Sequence, residues 1–426
     1  MIEKYYDGAI EQVAAGLGTV EKNYLLVRYS GQFSVENLND TKQLEKNEDI
    51  FVQVHEFETG EITCAYEPYL TMICDGFRRY MTGTFEEFME TCDVYYLHRP
   101  VLLGYFNQDN TGREEIILLD EVAYEQERML AALERMLCAI ADRHPVLFVL
   151  NRFQLASKST MQLTARFLKC ENCNIGLVLG VSDIQAMPEF LVPDWEMLYE
   201  TLDDGSKIYH IGNSGRKKEE TIDDEKYVDY GSEKVYRKLQ NMVEFLDFDQ
   251  AAYYLETIER KIKFDNLLVD DAARFRMWLL FVKVSILRQD IPKALEICED
   301  LEKIHLAGKE EECAYEQDYL IATAYMYQGK LKEALEMAGE TYRIAGKMSD
   351  DYRVFLSELL EAKIQMSGWY NIFFCAQDVK IKESLIQNLI RYNYRNHLAH
   401  VYIYAYDNKP EIVKKANQSE ELLIYF

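Results

Sequence analysis

VLFVLNRFQLASKSTMQLTARFLK occupies residues 146–169, and its reading sets the fold of the N-terminal half. The first five residues are continuously apolar, the pattern of a short strand buried on both faces. Asn151 and Arg152 end the run. A polar break follows, and then a helix-type spacing that opens at a serine, Ser157.

Outward from this stretch, similar apolar runs recur at 24–29 (YLLVRY), 50–55 (IFVQVH) and 175–180 (IGLVLG). A weaker fifth is KIYHI at 207–211. Helical stretches separate them, the clearest at 114–142, where apolar residues return every three or four positions. Strand–helix alternation predicts a mostly parallel α/β sheet.

The stretch 203–234 is dominated by Asp, Glu, Lys, Gly and Ser and reads as a linker with at most one edge strand. Beyond it the pattern is helical throughout. Three segments resemble one another: DFDQAAYYLETIE, DIPKALEICEDLE and GKLKEALEMAGETY. Aligned on Ala251, Ala294 and Ala334, they are spaced 43 and 40 residues apart. Each follows a helix that ends in a short polar turn. Paired helices with small residues at the crossing and a period near 40 residues predict an α-solenoid. The expected organisation is an α/β domain at 1–212, a linker at 213–234 and a helical repeat domain at 235–426.

Composition limits the function. The 426 residues carry a net charge of −26, which repels phosphate backbones and anionic lipid alike. Nucleic-acid binding by this chain alone and membrane association are therefore not expected. No apolar stretch is long enough to span a bilayer. The opening MIEKYYDGAIEQV is acidic, without the apolar core of a secretion signal. Nine scattered cysteines read as reduced thiols, so a cytoplasmic location is expected.

The repeats, most clearly YMYQGKLKEALEMA, resemble tetratricopeptide repeats of slightly long form. The order of α/β domain, linker and repeats resembles the STAND class of signal-transduction ATPases, AAA-type P-loop NTPases that include bacterial activators of the maltose-regulator kind. The segment at 146–160 fits that class without gaps; NIGLVLG with Val181–Asp183 resembles its following sensor strand, and YEPYL at 66–70 resembles a Pro-Tyr segment that many members carry after their second strand. The acids that the class carries after its apolar run are absent: Asn151 and Arg152 stand in their place, and Ser157 stands where another acid is common.

The loop after YLLV departs further. A working P-loop needs glycines around phosphate, a lysine, and a hydroxyl for Mg²⁺. Laid on that pattern, Arg28 and Phe33 replace the two glycines, Ser34 the lysine and Val35 the hydroxyl; Gly31 falls at a free position. The resemblance therefore implies a degenerate P-loop-type fold. Gly31, Ser34, Asn151 and Arg152 mark its nucleotide-site positions. No catalytic residue, metal or cofactor is expected, and protein or peptide is the expected partner of the repeats.

Two alternatives stay open. In one, a divergent ATPase uses ATP and Mg²⁺, with Lys42 or Lys158 reaching the phosphates and Asp120, Glu121 or Asp183 as the acid. In the other, the chain is the sensory part of a larger transcription-regulator or diguanylate-cyclase protein whose output domain is absent. Two further patterns point to no chemistry. Cys170 and Cys173 form a single C-x-x-C, where a zinc ribbon needs a second pair. His397 and His400 lie one helical turn apart without an acidic partner, among tyrosines that suggest packing between repeats.

Overall fold

The computed structural model describes residues 2–17, 24–29, 49–58, 61–109, 121–170, 174–182, 187–202, 208–211, 229–265, 267–369, 383–395, 397–398 and 401. The described residues fall into two compact units, one within 2–258 and the other within 259–401.

The first unit is built on five strands, β1 (Tyr24–Tyr29), β2 (Phe51–Glu56), β3 (Val146–Asn151), β4 (Ile175–Ser182) and β5 (Ile208–Ile211). They lie in the order β2-β3-β4-β1-β5, every neighbouring pair parallel. The strands expected from the apolar runs are all present, and the weak fifth is the edge strand beside β1. β3 and β4 are buried at every position, which is why neither alternates apolar with polar residues.

Helix α1 (Ile2–Gly16) covers one face of the sheet. Its Ile10 and Val13 pack with Leu25 and Val27 of β1, Leu147 and Val149 of β3, and Val178 of β4. Gly176 on β4 makes this approach possible, because a Cβ there would stand 2.7 Å from a Val13 methyl carbon and 3.1 Å from Leu147. Replacing Gly176 with alanine is expected to cost about 1–3 kcal/mol through overpacking, read by urea unfolding.

Helices α2 (Tyr69–Tyr80), α3 (Phe85–Thr91), α4 (Arg99–Asn107), α5 (Val122–Ala141), α6 (Lys158–Lys169) and α7 (Val192–Leu202) complete the α/β part. Tyr69 of α2 sets its ring edge-on to Phe148 of β3 and Phe167 of α6. Its hydroxyl meets the Thr164 hydroxyl at 2.5 Å.

Two more helices follow, α8 (Glu233–Glu244) and α9 (Phe248–Phe264). The sequence places the division at 213–234, but α8 and α9 up to Ile258 group with the sheet unit. Specific bonds account for this. Lys238 donates to the Glu61 carboxylate at 2.8 Å and to the Ile62 carbonyl at 2.7 Å, and Gln126 donates to the Leu246 carbonyl at 2.7 Å.

The second unit is helical: α10 (Asp271–Leu287), α11 (Ile291–Leu301), α12 (Glu310–Gln328), α13 (Leu331–Met348), α14 (Asp351–Trp369) and α15 (Glu383–Arg391). Consecutive members of α10 to α15 pack on one another. Ala322 of α12, Ala334 and Ala338 of α13, and Leu360 and Ile364 of α14 share one core. Phe355 of α14 stacks on Tyr392 at 4.8 Å and meets Tyr394 edge-on at 5.1 Å, so these two tyrosines serve packing. Within this unit Glu259 is 7% exposed and accepts from Lys263 at 2.7 Å and Lys293 at 2.9 Å. The carboxylate thus loses water but meets two ammonium groups.

The three polar turns aligned in the sequence share one local geometry. Leu246, Gln289 and Gly329 all have a left-handed backbone, with φ of 65°, 63° and 80°. In each turn the next amide donates to a carbonyl five residues back: Asp247 to Met242, Asp290 to Ser285 and Lys330 to Tyr325. This is the hydrogen bond that closes a helix C-terminus when one residue turns left-handed. Only Gly329 adopts that conformation without a Cβ penalty. The exposed Gln289 is therefore a site where glycine is expected to raise stability by about 1 kcal/mol, read from the denaturant midpoint. Among the described residues, no helix is long and apolar enough to cross a membrane.

Candidate functional site

The sheet order locates the site. All strands are parallel, so their carboxyl ends share one edge. From β1 the chain runs past β4 and β3 to β2; from β4 it runs the other way, past β1, to β5. The connections diverge at the β1–β4 pair. In open α/β sheets, ligands bind outside the carboxyl ends of the strands at such a reversal.

The residues there are bonded to one another. Tyr29 is the last residue of β1 and Asn151 the last of β3. Both point to the α1 side, in step with Val27 and Val149. The Tyr29 hydroxyl donates to Asn151 Oδ1 at 2.7 Å, reaching over β4. Tyr29 is 1% and Asn151 0% exposed. Burial pushes the Tyr29 phenol up to about 12, against the pull of nearby Arg152, so it stays a neutral donor.

Arg152 leaves the strand with a left-handed backbone, φ 53°, and its Nε lies 3.3 Å from Glu56 at the end of β2. Gln154 donates to the Ser182 carbonyl at 3.1 Å and accepts from the Ser182 amide at 3.3 Å. The side chain thus pairs with the end of β4 as another strand would. The two charged groups described here neutralise each other, and the buried amide and phenol are paired.

Beyond Gln154, α6 begins as the serine pattern predicts. The Ser157 hydroxyl accepts from the Thr160 amide at 3.2 Å, capping the helix. The Ser159 hydroxyl accepts from the Tyr66 amide at 3.0 Å, and the Thr160 hydroxyl donates to the Glu67 carbonyl at 2.9 Å. These two bonds fasten the YEPYL segment to α6. The Ser159 amide donates to Asp247 at 3.0 Å. Asp247 also accepts from the Gln250 amide at 3.4 Å, so one carboxylate serves the starts of both α6 and α9.

Of the four nucleotide-site positions, the structure brings Asn151 and Arg152 to the carboxyl edge, while Gly31 and Ser34 lie outside the described residues. So do Lys42, Asp120 and Asp183 from the divergent-ATPase alternative. Glu121 immediately precedes α5. Lys158 is engaged by Asp249 at 2.5 Å and Asp194 at 3.9 Å. Burial works against its charge, but the bond and charge of Asp249 outweigh this and raise its pKa.

Cys170 forms no disulfide with a described residue, and Cys173 lies outside the described residues. His397 is buried, 5.4 Å from the Tyr394 ring, and His400 lies outside the described residues. Among the described residues, no group of three His, Cys, Asp or Glu side chains is placed to hold a metal ion.

Tyr29, Gln154 and Asp247 are the residues that sequence reading missed. Each had a faint signal: a phenol ending an apolar strand, an amide within a buried run, and an acid at a helix turn. Comparison with protein-family models, curated proteins and solved structures finds no match for this chain.

Proposed function

We propose that this chain is a non-catalytic regulatory or scaffolding protein. Its first unit is a P-loop-type domain that has lost nucleotide chemistry, and its helical repeats, of tetratricopeptide type, bind a protein or peptide. The observation that carries this reading is the Tyr29–Asn151 bond. It fills the position where the STAND resemblance expects a metal-binding acid with a buried, paired, neutral amide. A hard cation such as Mg²⁺ favours carboxylate or phosphate oxygens over such a group. The left-handed turns that join successive helices support the repeat reading, and stacked helix pairs offer extended surfaces for a peptide.

A second reading is favoured by the reversal of connections at β1 and β4, a place where α/β sheets hold ligands. In it, nucleotide still binds through unfamiliar residues. Thermal unfolding with ATP, ADP and GTP, each with and without Mg²⁺, separates the two. Ligand at a hundredfold excess over its Kd stabilises by about 2.7 kcal/mol. We expect no shift at millimolar nucleotide; a Mg²⁺-dependent shift overturns the first reading in favour of the second.

A further inference from the structure

In the second unit, the seam between α12 and α13 is apolar at both ends and acidic in the middle. Tyr315 of α12 packs with Ile344 and Ala345 of α13 at one end. Ala322 packs with Ala334 and Ala338 at the other. Asp318 lies between them, three residues after Tyr315 and four before Ala322. Positions three and four apart share one face of a helix, so its side chain leaves α12 on the packed face. Such a position ordinarily holds an apolar residue. Asp318 is half-buried there.

Nothing described nearby neutralises this carboxylate. Among the described residues Asp318 has no hydrogen bond and no ion pair. The buried Thr341 hydroxyl on α13 donates to the Ala338 carbonyl at 2.7 Å, so it is committed within its own helix. The charged groups that face Asp318 carry its own sign: Glu340 from α13 and Glu302 just past α11. The cations beside them are taken, Arg343 by Glu340 at 2.8 Å and Lys303 by Asp300 at 2.8 Å. Helices α10 and α14 also pack on α12, and bring no charged group against Asp318 among the described residues. Burial first, then Glu340 and Glu302, push the Asp318 carboxyl up to about 6.

We propose that the α12–α13 seam is a proton-operated latch in the helical array. With a proton on Asp318 the seam closes as an uncharged surface. With the proton gone, a carboxylate is held between two apolar contacts and beside two other carboxylates, and the seam opens more often. The sign follows from linkage. A carboxyl raised in the closed state binds a proton that the opened seam does not, so closing gains as pH falls through about 6. The gain is complete only below the ordinary carboxylate range, near pH 4. The latch belongs to the array itself and holds whatever the array binds.

Hydrogen exchange of the full chain, followed by mass spectrometry over α12 and α13 and corrected for the intrinsic effect of pH on exchange, reads the opening. We expect the seam of the parent to open about tenfold less often at pH 5 than at pH 7.5. Asp318→Asn keeps the size of the side chain and removes the charge; Asp318→Leu continues the apolar seam. Both should lose most of that pH dependence and be better protected than the parent at pH 7.5. The proposal is overturned if the variants change with pH as the parent does. It is equally overturned if they are less protected than the parent at pH 7.5.

Discussion

Replacing Asp247 with alanine lowers stability by about 3 kcal/mol, the sum expected when two buried amides lose their acceptor. The Ser159 amide at the start of α6 and the Gln250 amide near the start of α9 both end on this carboxylate. Neither amide has an intrahelical partner, because the first turn of a helix never supplies one. Nearby bonds do not replace the loss, since the Lys158 amide already uses Gln250 Oε1 and the Lys158 ammonium already uses Asp249. Asp247→Asn should cost far less than alanine, because the amide oxygen can still accept from Ser159.

The pH dependence tests the same bond independently. Burial is the largest influence on Asp247 and raises its pKa, although hydrogen bonds from Ser159 and Gln250 oppose this. A carboxyl raised in the folded state binds protons that the unfolded chain does not, so folding gains as pH falls towards the ordinary carboxylate range. The parent should therefore gain on Asp247→Asn as pH falls, and lose that gain as pH rises through the folded-state pKa. Urea midpoints of both proteins across this range measure it. A gap that does not vary with pH would falsify the buried-carboxylate account.

Much of the fold was legible because parallel strands and packed helices leave different periods in a sequence. VLFVL and IGLVLG became β3 and β4, buried on both faces, and the strand beginning at Tyr24 became β1. The turns at Leu246, Gln289 and Gly329 were legible as polar breaks, although their shared left-handed geometry was not, since only one of them is glycine. The grouping of α8 and α9 with the sheet escaped reading for another reason. It depends on contacts such as Lys238 with Glu61, between residues far apart in sequence, for which local pattern has no term.

The carboxyl edge was half legible. Spacing alone brought Asn151 and Arg152 to it. What neutralises them came from other strands, Tyr29 from β1 and Glu56 from β2, and only the strand order decides which side chains meet there.

Asn151→Asp restores the acid that the STAND resemblance expects, and is predicted to damage the protein rather than revive an enzyme. The new carboxyl would sit at a position that is 0% exposed, in register with Glu56 on β2. Burial and a like charge both raise a carboxyl pKa, by up to about 3 units or more in such sites, and each unit costs about 1.4 kcal/mol when the group must ionise. The Tyr29 hydroxyl and nearby Arg152 return part of this. The net expectation is a loss of about 2–4 kcal/mol at neutral pH.

A protonated Asp has nearly the shape of Asn and can still accept from Tyr29. Because the folded-state pKa is raised, the loss should be complete above that pKa and should fade as pH falls below it. Chemical denaturation of both proteins at neutral and mildly acidic pH measures the difference. Adding Mg²⁺ with ATP turns the variant into a test of function. If the edge is closed by its own side chains, the metal nucleotide leaves the variant as unstable as before. If it restores the lost stability, a site for it has survived beside β1 and β3, and the chain binds nucleotide through residues other than those of a working P-loop.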